Sequence, residues 1–204
     1  MSNIVIVSGS HRLDSQSRKV SEHVSKVLRE DFAASSCVID LAEAKIPLWD
    51  EGVWEGCSQW QTTWSPIAEA LGGSDGVVLV VPEWGGMAPP AIKNFLLLCA
   101  SEISHKPALI ISVSSGEGGT YPVAELRAFG FKNNRICYIP DHVILRHVAD
   151  VLNGATASGE ADARARARVH YSLKVLLAYA CALTIVRRSE TIAFDTFPYG
   201  MWHA

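Results

Sequence analysis

The chain is sparing with charge and lacks the short motifs of the commonest metal and nucleotide enzymes. Charged residues make up 19% of its 204 positions and the net charge is −3. So mild a balance gives no electrostatic ground for nucleic acid or an anionic membrane as a partner. The five cysteines, Cys37, Cys57, Cys99, Cys137 and Cys181, are odd in number and include no C-x-x-C pair. That spacing supports neither a disulfide framework nor a zinc site. Most of them sit in apolar runs and read as buried, reduced thiols. His142 and His147 are five positions apart and His105 stands alone, so no H-E-x-x-H appears. No G-x-G-x-x-G fingerprint or G-x-x-x-x-G-K-[ST] loop occurs, and the one G-x-S-x-G, Gly72 to Gly76, leads into a strand-like run rather than out of one, so it is no nucleophile elbow. Asp40, where a dinucleotide fold would hold ribose, therefore reads as a strand-end or capping acid. The longest apolar run, Val175 to Val186, is shorter than the roughly 18 residues of a membrane span. Met1-Ser2-Asn3-Ile4 does not open a signal peptide. The expectation is a cytoplasmic chain with no nucleic-acid or membrane partner.

What is present is core-forming material: 49% of the residues are hydrophobic, enough for one domain with a real core. Ile4 to Val7, Val38 and Ile39, Val77 to Val81, and Leu109 to Val113 are short runs rich in Val, Ile and Leu without polar alternation. Such runs belong in a parallel sheet covered on both faces. A fifth strand is expected at Ile136 to Ile139. Between them, Val20, Val24, Val27 and Leu28 define one helical face. Ile67, Ala70 and Leu71 define a second, and Ile92, Phe95 and Leu96 a third. Ala124 to Phe131 suggests a fourth. Val169, Leu173, Leu176, Ala180 and Leu183 define a long last helix. The alternation predicts a doubly wound α/β sheet with right-handed crossovers. Asn153 to Ala163 reads as an exposed loop. The domain is expected over residues 1–188. An aromatic tail over 189–204, with Phe194, Phe197, Tyr199 and Trp202, is expected to pack on it or on a partner subunit.

In such a sheet, ligands gather at the carboxyl ends of the strands. The first strand runs into Ser8-Gly9-Ser10-His11-Arg12-Leu13-Asp14-Ser15-Gln16-Ser17 and then a helix. Helix-start amides, hydroxyls and a guanidinium suit a phosphate, although a Ser-capped turn looks similar. The third strand is followed by Pro82-Glu83-Trp84-Gly85-Gly86-Met87-Ala88-Pro89-Pro90. Its glycines allow close approach to a flat ligand, and Trp84 offers a stacking surface or fills a gap. After the fourth strand, Gly116, Gly118 and Gly119 make a loop able to present amides to a ligand edge, or simply a mobile turn.

Together these loops carry G-S-x-R-x-x-S, P-E-W-G-G followed by A-I-K-N, and S-x-G-x-G-G, with Ile46-Pro47-Leu48-Trp49-Asp50 as a further match. From about Ile4 to about Val148 the chain resembles the NAD(P)H-dependent FMN reductases of flavodoxin-like fold. The resemblance implies a five-stranded parallel sheet of order 2-1-3-4-5 with helices on both faces. It implies FMN as cofactor and NADPH or NADH as co-substrate. It also implies a small-molecule electron acceptor such as a quinone, flavin, azo dye or metal ion. Ser10, Arg12, Ser15, Gln16 and Ser17 look like the phosphate loop. Pro82, Glu83, Trp84, Gly85, Gly86 and Met87 look like the loop along the isoalloxazine ring. Ser114, Gly116 and Gly119 look like the loop at its far edge. Many relatives have Tyr-Asn where this chain has Trp84-Gly85, which removes one side-chain amide. No dedicated acid–base residue is expected, because the flavin carries the redox chemistry and backbone amides stabilise its charge. Relatives are usually dimers or tetramers, so a homodimer or homotetramer is expected. The segment with Trp49, Trp54, Trp60 and Trp64 reads either as core or as an interface over the flavin. A flavodoxin-type electron carrier and a cofactor-less interaction protein are the competing readings.

Overall fold

A computed structural model describes residues 2–189, 191 and 192. The aromatic part of the expected tail, from Phe194 to Trp202, lies outside the described residues. The elements run β1 (Asn3–Ser8), α1 (Gln16–Phe32), β2 (Ser35–Asp40), α2 (Leu41–Ala44), α3 (Gly52–Glu55), α4 (Ser58–Thr63) and α5 (Ser65–Gly72). They continue with β3 (Gly76–Pro82), α6 (Pro90–Leu98), β4 (Pro107–Val113), α7 (Thr120–Ala128), β5 (Cys137–Leu145) and α8 (Glu160–Arg188). The five strands form one parallel sheet in the order β2-β1-β3-β4-β5, the expected topology.

The strands β3 and β4 are buried along their whole length, as continuous Val/Ile/Leu runs require. Their side chains alternate between two cores. Val5, Val7, Val77, Leu79 and Ile110 pack under the α3–α7 side. Ile4, Ile6, Val78, Val80, Leu109 and Ile111 pack under α1 and α8. Val20, Val24 and Leu28 of α1 are fully buried, and Val27 packs at the edge. The order of the chain reverses between β1 and β3, so the crevice at their carboxyl ends is the switch point.

Several expectations needed correction. The fourth helix begins at Thr120, four residues earlier than expected, because its first amides find a carboxylate acceptor in Glu83. It stops before Phe129, whose backbone is extended. The last helix starts at Glu160, inside the segment read as loop. Asp162 is buried there and accepts from the amides of Leu152 (2.9 Å) and Ser158 (3.0 Å), which fastens the preceding turn. The strand β5 extends to Leu145, with a register shift between Ala108 and Ile110. Pro140 interrupts its outer edge. Arg127 takes the carbonyls of Ile139 (2.7 Å) and Asp141 (3.0 Å), and Arg168 takes that of His142 (2.7 Å). Those contacts blunt an open sheet edge.

Only Cys99 is buried; Cys37, Cys57 and Cys181 are exposed and Cys137 is intermediate. All five are free thiols. The local apolar runs did not show that Cys37 lies on an edge strand and Cys181 on the outer side of α8. Trp60 and Trp64 are core residues, with Trp64 edge-on to Phe95 at 5.7 Å. Trp54 is 77% exposed and meets Trp49 edge-on at 5.0 Å. The helix α8 has an 18-residue window of mean hydropathy 1.6, long and apolar enough to cross a membrane. This exceeds what the Val175–Val186 run suggested, because a mean over 18 residues tolerates the polar side chains that end an uninterrupted run. Its Val169, Leu173 and Leu176 are fully buried in the core under the sheet.

Candidate functional site

The turn leaving β1 is pinned to the sheet by the Gly9 amide, which donates to Val80 O at 2.8 Å. Ser10 is buried, and its Oγ accepts from the Arg12 amide at 3.1 Å. Ser15 is the N-cap of α1; its Oγ accepts from the Arg18 amide at 3.1 Å. Each hydroxyl therefore keeps its own O–H to donate. The first turn of α1 contains no acidic residue, so no internal carboxylate competes for the positive end of the helix. The Ser17 Oγ is buried without a partner among the described residues. A buried hydroxyl in that state carries a desolvation cost that a ligand oxygen would remove.

The turn leaving β3 is a two-residue hairpin. Trp84 and Met87 exchange hydrogen bonds of 3.0 and 3.1 Å. Gly85 and Gly86 hold φ of +57° and +74° between them, as a type I′ turn demands. The Trp84 ring meets His11 edge-on at 4.4 Å, closing one side of the crevice. The turn is braced from beneath. Glu125 of α7 accepts from the Ala88 amide (2.6 Å) and from Lys93 Nζ (2.9 Å). Burial pushes the Glu125 carboxyl up, and the Ala88 and Lys93 hydrogen bonds outweigh it and leave it below its ordinary value. Asn94 is buried and takes both groups of the neighbouring segment. Its Oδ1 accepts from the Trp49 amide (2.8 Å) and its Nδ2 donates to Pro47 O (2.7 Å). The A-I-K-N stretch thus braces two loops.

The loop leaving β4 is held from two sides. Glu83 Oε2 accepts from the amides of Gly119 (2.7 Å) and Tyr121 (3.3 Å). Gly119 sits at φ +103°, and a Cβ there would stand 2.5 Å from Ile144 Cγ2. From the other side Arg146 Nε donates to the carbonyls of Glu117 (2.6 Å) and Gly118 (3.0 Å). His147 Nε2 meets Glu117 Oε1 at 2.7 Å. That contact holds the Glu117 carboxyl below its ordinary value. Asp40, the other acid at a strand end, caps α2 through the Ala42 amide (3.0 Å), as expected.

These turns enclose a cavity of about 100 Å³ lined by Ser10, Arg12, Ser15, Gln16, Ser17, Pro82, Glu83, Trp84, Val113, Ser115 and Val148. All five expected phosphate-loop residues therefore face one space, with the first three of the ring loop. Gly85, Gly86 and Met87 stand further out on the hairpin. Ser114, Gly116 and Gly119 are not among the lining residues; the Ser114 Oγ accepts from the Gly116 amide at 3.3 Å. Sequence reasoning missed Ser115, Val113 and Val148 as lining residues. It also missed Lys93, Asn94, Glu125 and Arg146 as braces; A-I-K-N was the one signal that pointed there. Among the described residues no cluster of His, Cys, Asp or Glu is suited to a metal ion.

The donor set fits a phosphate monoester. It offers one guanidinium, four hydroxyls including the unpartnered Ser17 Oγ, and the amides of a helix start without acids. A phosphate cradle at the switch point of a 2-1-3-4-5 sheet, beside a loop with an aromatic side chain, defines a flavodoxin-like FMN protein. The family model for NADPH-dependent FMN reductases matches residues 2–150, and the chain belongs to that family. A quinone reductase from Pseudomonas putida is 29% identical over 125 residues, covering 58% of this chain and 63% of that relative. The match thus spans less than two thirds of that relative's length. An NADPH azoreductase from Bacillus sp. is 27% identical over 191 residues, covering 91% and 96%. Among solved structures, the flavoenzyme NAD(P)H:(acceptor) oxidoreductase from Paracoccus denitrificans superposes with a TM-score of 0.69 at 17% identity, covering 88% and 97%. At that identity the likeness shows the shared fold.

Proposed function

We propose that the chain takes hydride from NADPH or NADH and passes the electrons to a small-molecule acceptor of the quinone, flavin or azo class. FMN, the family's cofactor, supplies the two-electron redox chemistry when bound. The observation that carries the reading is the cradle: Arg12, Ser10, Ser15 and the orphan hydroxyl of Ser17 converge at the start of α1. In this reading they hold the phosphate. The hairpin of Pro82, Glu83, Trp84, Gly85, Gly86 and Met87 lies along the ring. Ser114, Gly116 and Gly119 belong to the loop whose amides face the ring's far edge. The loops hold the ring in place and leave hydride transfer without a protein acid or base. The names of the P. putida and Bacillus relatives support the acceptor class.

A homodimer or homotetramer fits the exposed apolar surface at the ends of α6 and α7. Leu97 of α6 is 68% exposed, and Phe129, just after α7, 55%. With Leu96, Cys99 and Leu126 they line an open groove of about 480 Å³. Apolar surface of this kind marks an interface. Free thiols throughout and use of NAD(P)H fit a cytoplasmic enzyme. The test is a spectrum and an assay. The purified protein should release FMN on denaturation, and anaerobic NADPH or NADH should bleach its yellow colour. A quinone or azo dye should then restore it. A flavin that only a partner reductase bleaches would make the chain an electron carrier. A colourless protein that takes up no added FMN would remove the reading. Light scattering at micromolar concentration should give a dimer or tetramer mass.

A further inference from the structure

A second cavity, of about 610 Å³, lies at the amino-terminal end of the sheet, opposite the cradle. The strands β3 and β4 each run seven residues, so about 20 Å of strand separates the two spaces. Asp75 and Lys106, which precede β3 and β4, line it together with Gly72 at the end of α5. Ser104, between α6 and β4, and Arg187 and Arg188 at the end of α8 complete the part that carries its chemistry.

The cavity gathers cations and leaves them partly unsatisfied. Lys106 is buried, and its Nζ donates to Leu71 O (2.6 Å) and Gly72 O (2.7 Å). An ammonium has a third N–H to give. The same bonds neutralise the carbonyl end of α5. Arg187 donates to His105 O (3.3 Å) and Thr184 Oγ1 (2.9 Å), two of the five N–H groups a guanidinium carries. Arg188 is exposed and pairs with no carboxylate among the described residues.

The two acids of the lining are already engaged. Asp75 Oδ2 accepts from the Asn3 amide (2.9 Å), and its Oδ1 lies 3.6 Å from Arg187 Nη2. Glu102 Oε2 accepts from the Ala100 amide (2.9 Å), and burial pushes its carboxyl above the ordinary range. Burial also holds His105 below its ordinary value, so it adds no charge at neutral pH. Three cations thus face two carboxylates. Burial, and after it the charge of Arg187, holds the Lys106 ammonium down at about 8. A bound anion would offset both effects. Ser104 is 4% exposed, and its Oγ has no partner among the described residues. A buried hydroxyl in that state is one that a ligand oxygen would satisfy.

We propose that this cavity binds a phosphate-class oxyanion, either inorganic phosphate or a phosphate monoester, through Lys106, Arg187, Arg188 and the hydroxyl of Ser104. Two guanidiniums and an ammonium match the several oxygens of such a group. The proposal is independent of the flavin reading, because the cradle lies at the other end of the sheet. The FMN-loaded protein is titrated by calorimetry with potassium phosphate and with glycerol 3-phosphate, against potassium chloride at equal ionic strength. Thermal unfolding is followed under the same conditions. Both phosphates should bind at one site and raise Tm where chloride does not. Arg188→Ala, at an exposed helix end, should weaken binding about tenfold. Lys106→Met should remove it, and Arg188→Ala carries the test if the buried substitution fails to fold. Arg12→Ala, in the cradle, should leave phosphate binding unchanged whether or not the protein holds FMN. A monoester that binds more tightly by about threefold or more would name a phosphate ester as the ligand, and equal affinities would name free phosphate. The absence of saturable binding by either, or a response that chloride matches, would overturn the proposal. So would binding that Arg188→Ala leaves intact, or binding lost in Arg12→Ala, which would place the anion in the cradle.

Discussion

The Glu83 carboxylate and the Gly119 amide, 36 positions apart in the chain, meet at 2.7 Å. One side chain thereby ties the loop after β3 to the loop after β4, and it caps the start of α7 with negative charge. Two amides that a Gly-rich loop offers to a ligand are already taken, those of Gly119 and Tyr121. Glu83 is in this respect a brace of the site as much as a wall of it. The resemblance had placed Glu83 and Gly119 as separate cofactor contacts. The structure makes them partners of each other.

Replacing Glu83 by Gln keeps the shape and one acceptor oxygen but removes the charge that strengthens the two hydrogen bonds, both of which end on Oε2. FMN affinity should fall about tenfold, equivalent to ~1.4 kcal/mol, as the two loops lose their fixed spacing. Titration of the apoprotein against FMN fluorescence measures this. An unchanged Kd would mean the loops hold their geometry without the carboxylate.

The cradle at the start of α1 predicts a selective loss. Ser17→Ala and Arg12→Ala should each weaken FMN binding by about 1–3 kcal/mol, since both remove donors to a charged group. Riboflavin, which has no phosphate, should bind these variants as it binds the parent. Equal losses for both ligands would move the phosphate elsewhere.

Gly119 is required by its surroundings. At φ +103° with Ile144 Cγ2 only 2.5 Å from any added Cβ, Gly119→Ala should destabilise the fold by about 1–3 kcal/mol. Thermal unfolding followed by circular dichroism would register the drop in Tm. A Tm within error of the parent would show that the loop relaxes freely.

Asp162 gives a pH dependence of known sign. Burial pushes its carboxyl up, but the Leu152 and Ser158 amides and Arg166 prevail and hold it at about 2, against an ordinary 3.8. A depressed carboxyl stabilises the fold above its unfolded pKa and loses that contribution as pH falls through the folded one. The contribution is therefore complete above about pH 4 and gone near pH 2. Asp162→Asn should cost at most about 2 kcal/mol at pH 7. The gap to the parent in urea unfolding should narrow steadily below pH 4. A gap independent of pH would place the loss in packing rather than charge.

The strand cores and the parallel topology were legible because runs such as Val77–Val81 have no polar face to expose, so only a sheet covered on both sides accommodates them. The phosphate loop was legible because a strand, a Ser-rich turn and a helix start are consecutive in sequence, and its five residues do line one cavity. The start of α7 was misplaced because the acceptor of its first amides lies on another loop. The burial of the cysteines was misjudged because an apolar neighbourhood in sequence does not say which side of a strand or helix faces water. The braces Glu125 and Arg146 act between loops distant in the chain, and no local pattern announces them; Asn94 had only the A-I-K-N match to point to it.

The sequence by itself thus determined what depends on neighbours along the chain: the alternation of strands and helices, their buried faces, and the donors gathered at the start of α1. The tertiary structure alone decided which loops touch, which amides remain for a ligand and which side of α8 meets water. Hydrogen bonds such as that from Gly119 to Glu83 have an angular and distance requirement that only the folded sheet can satisfy.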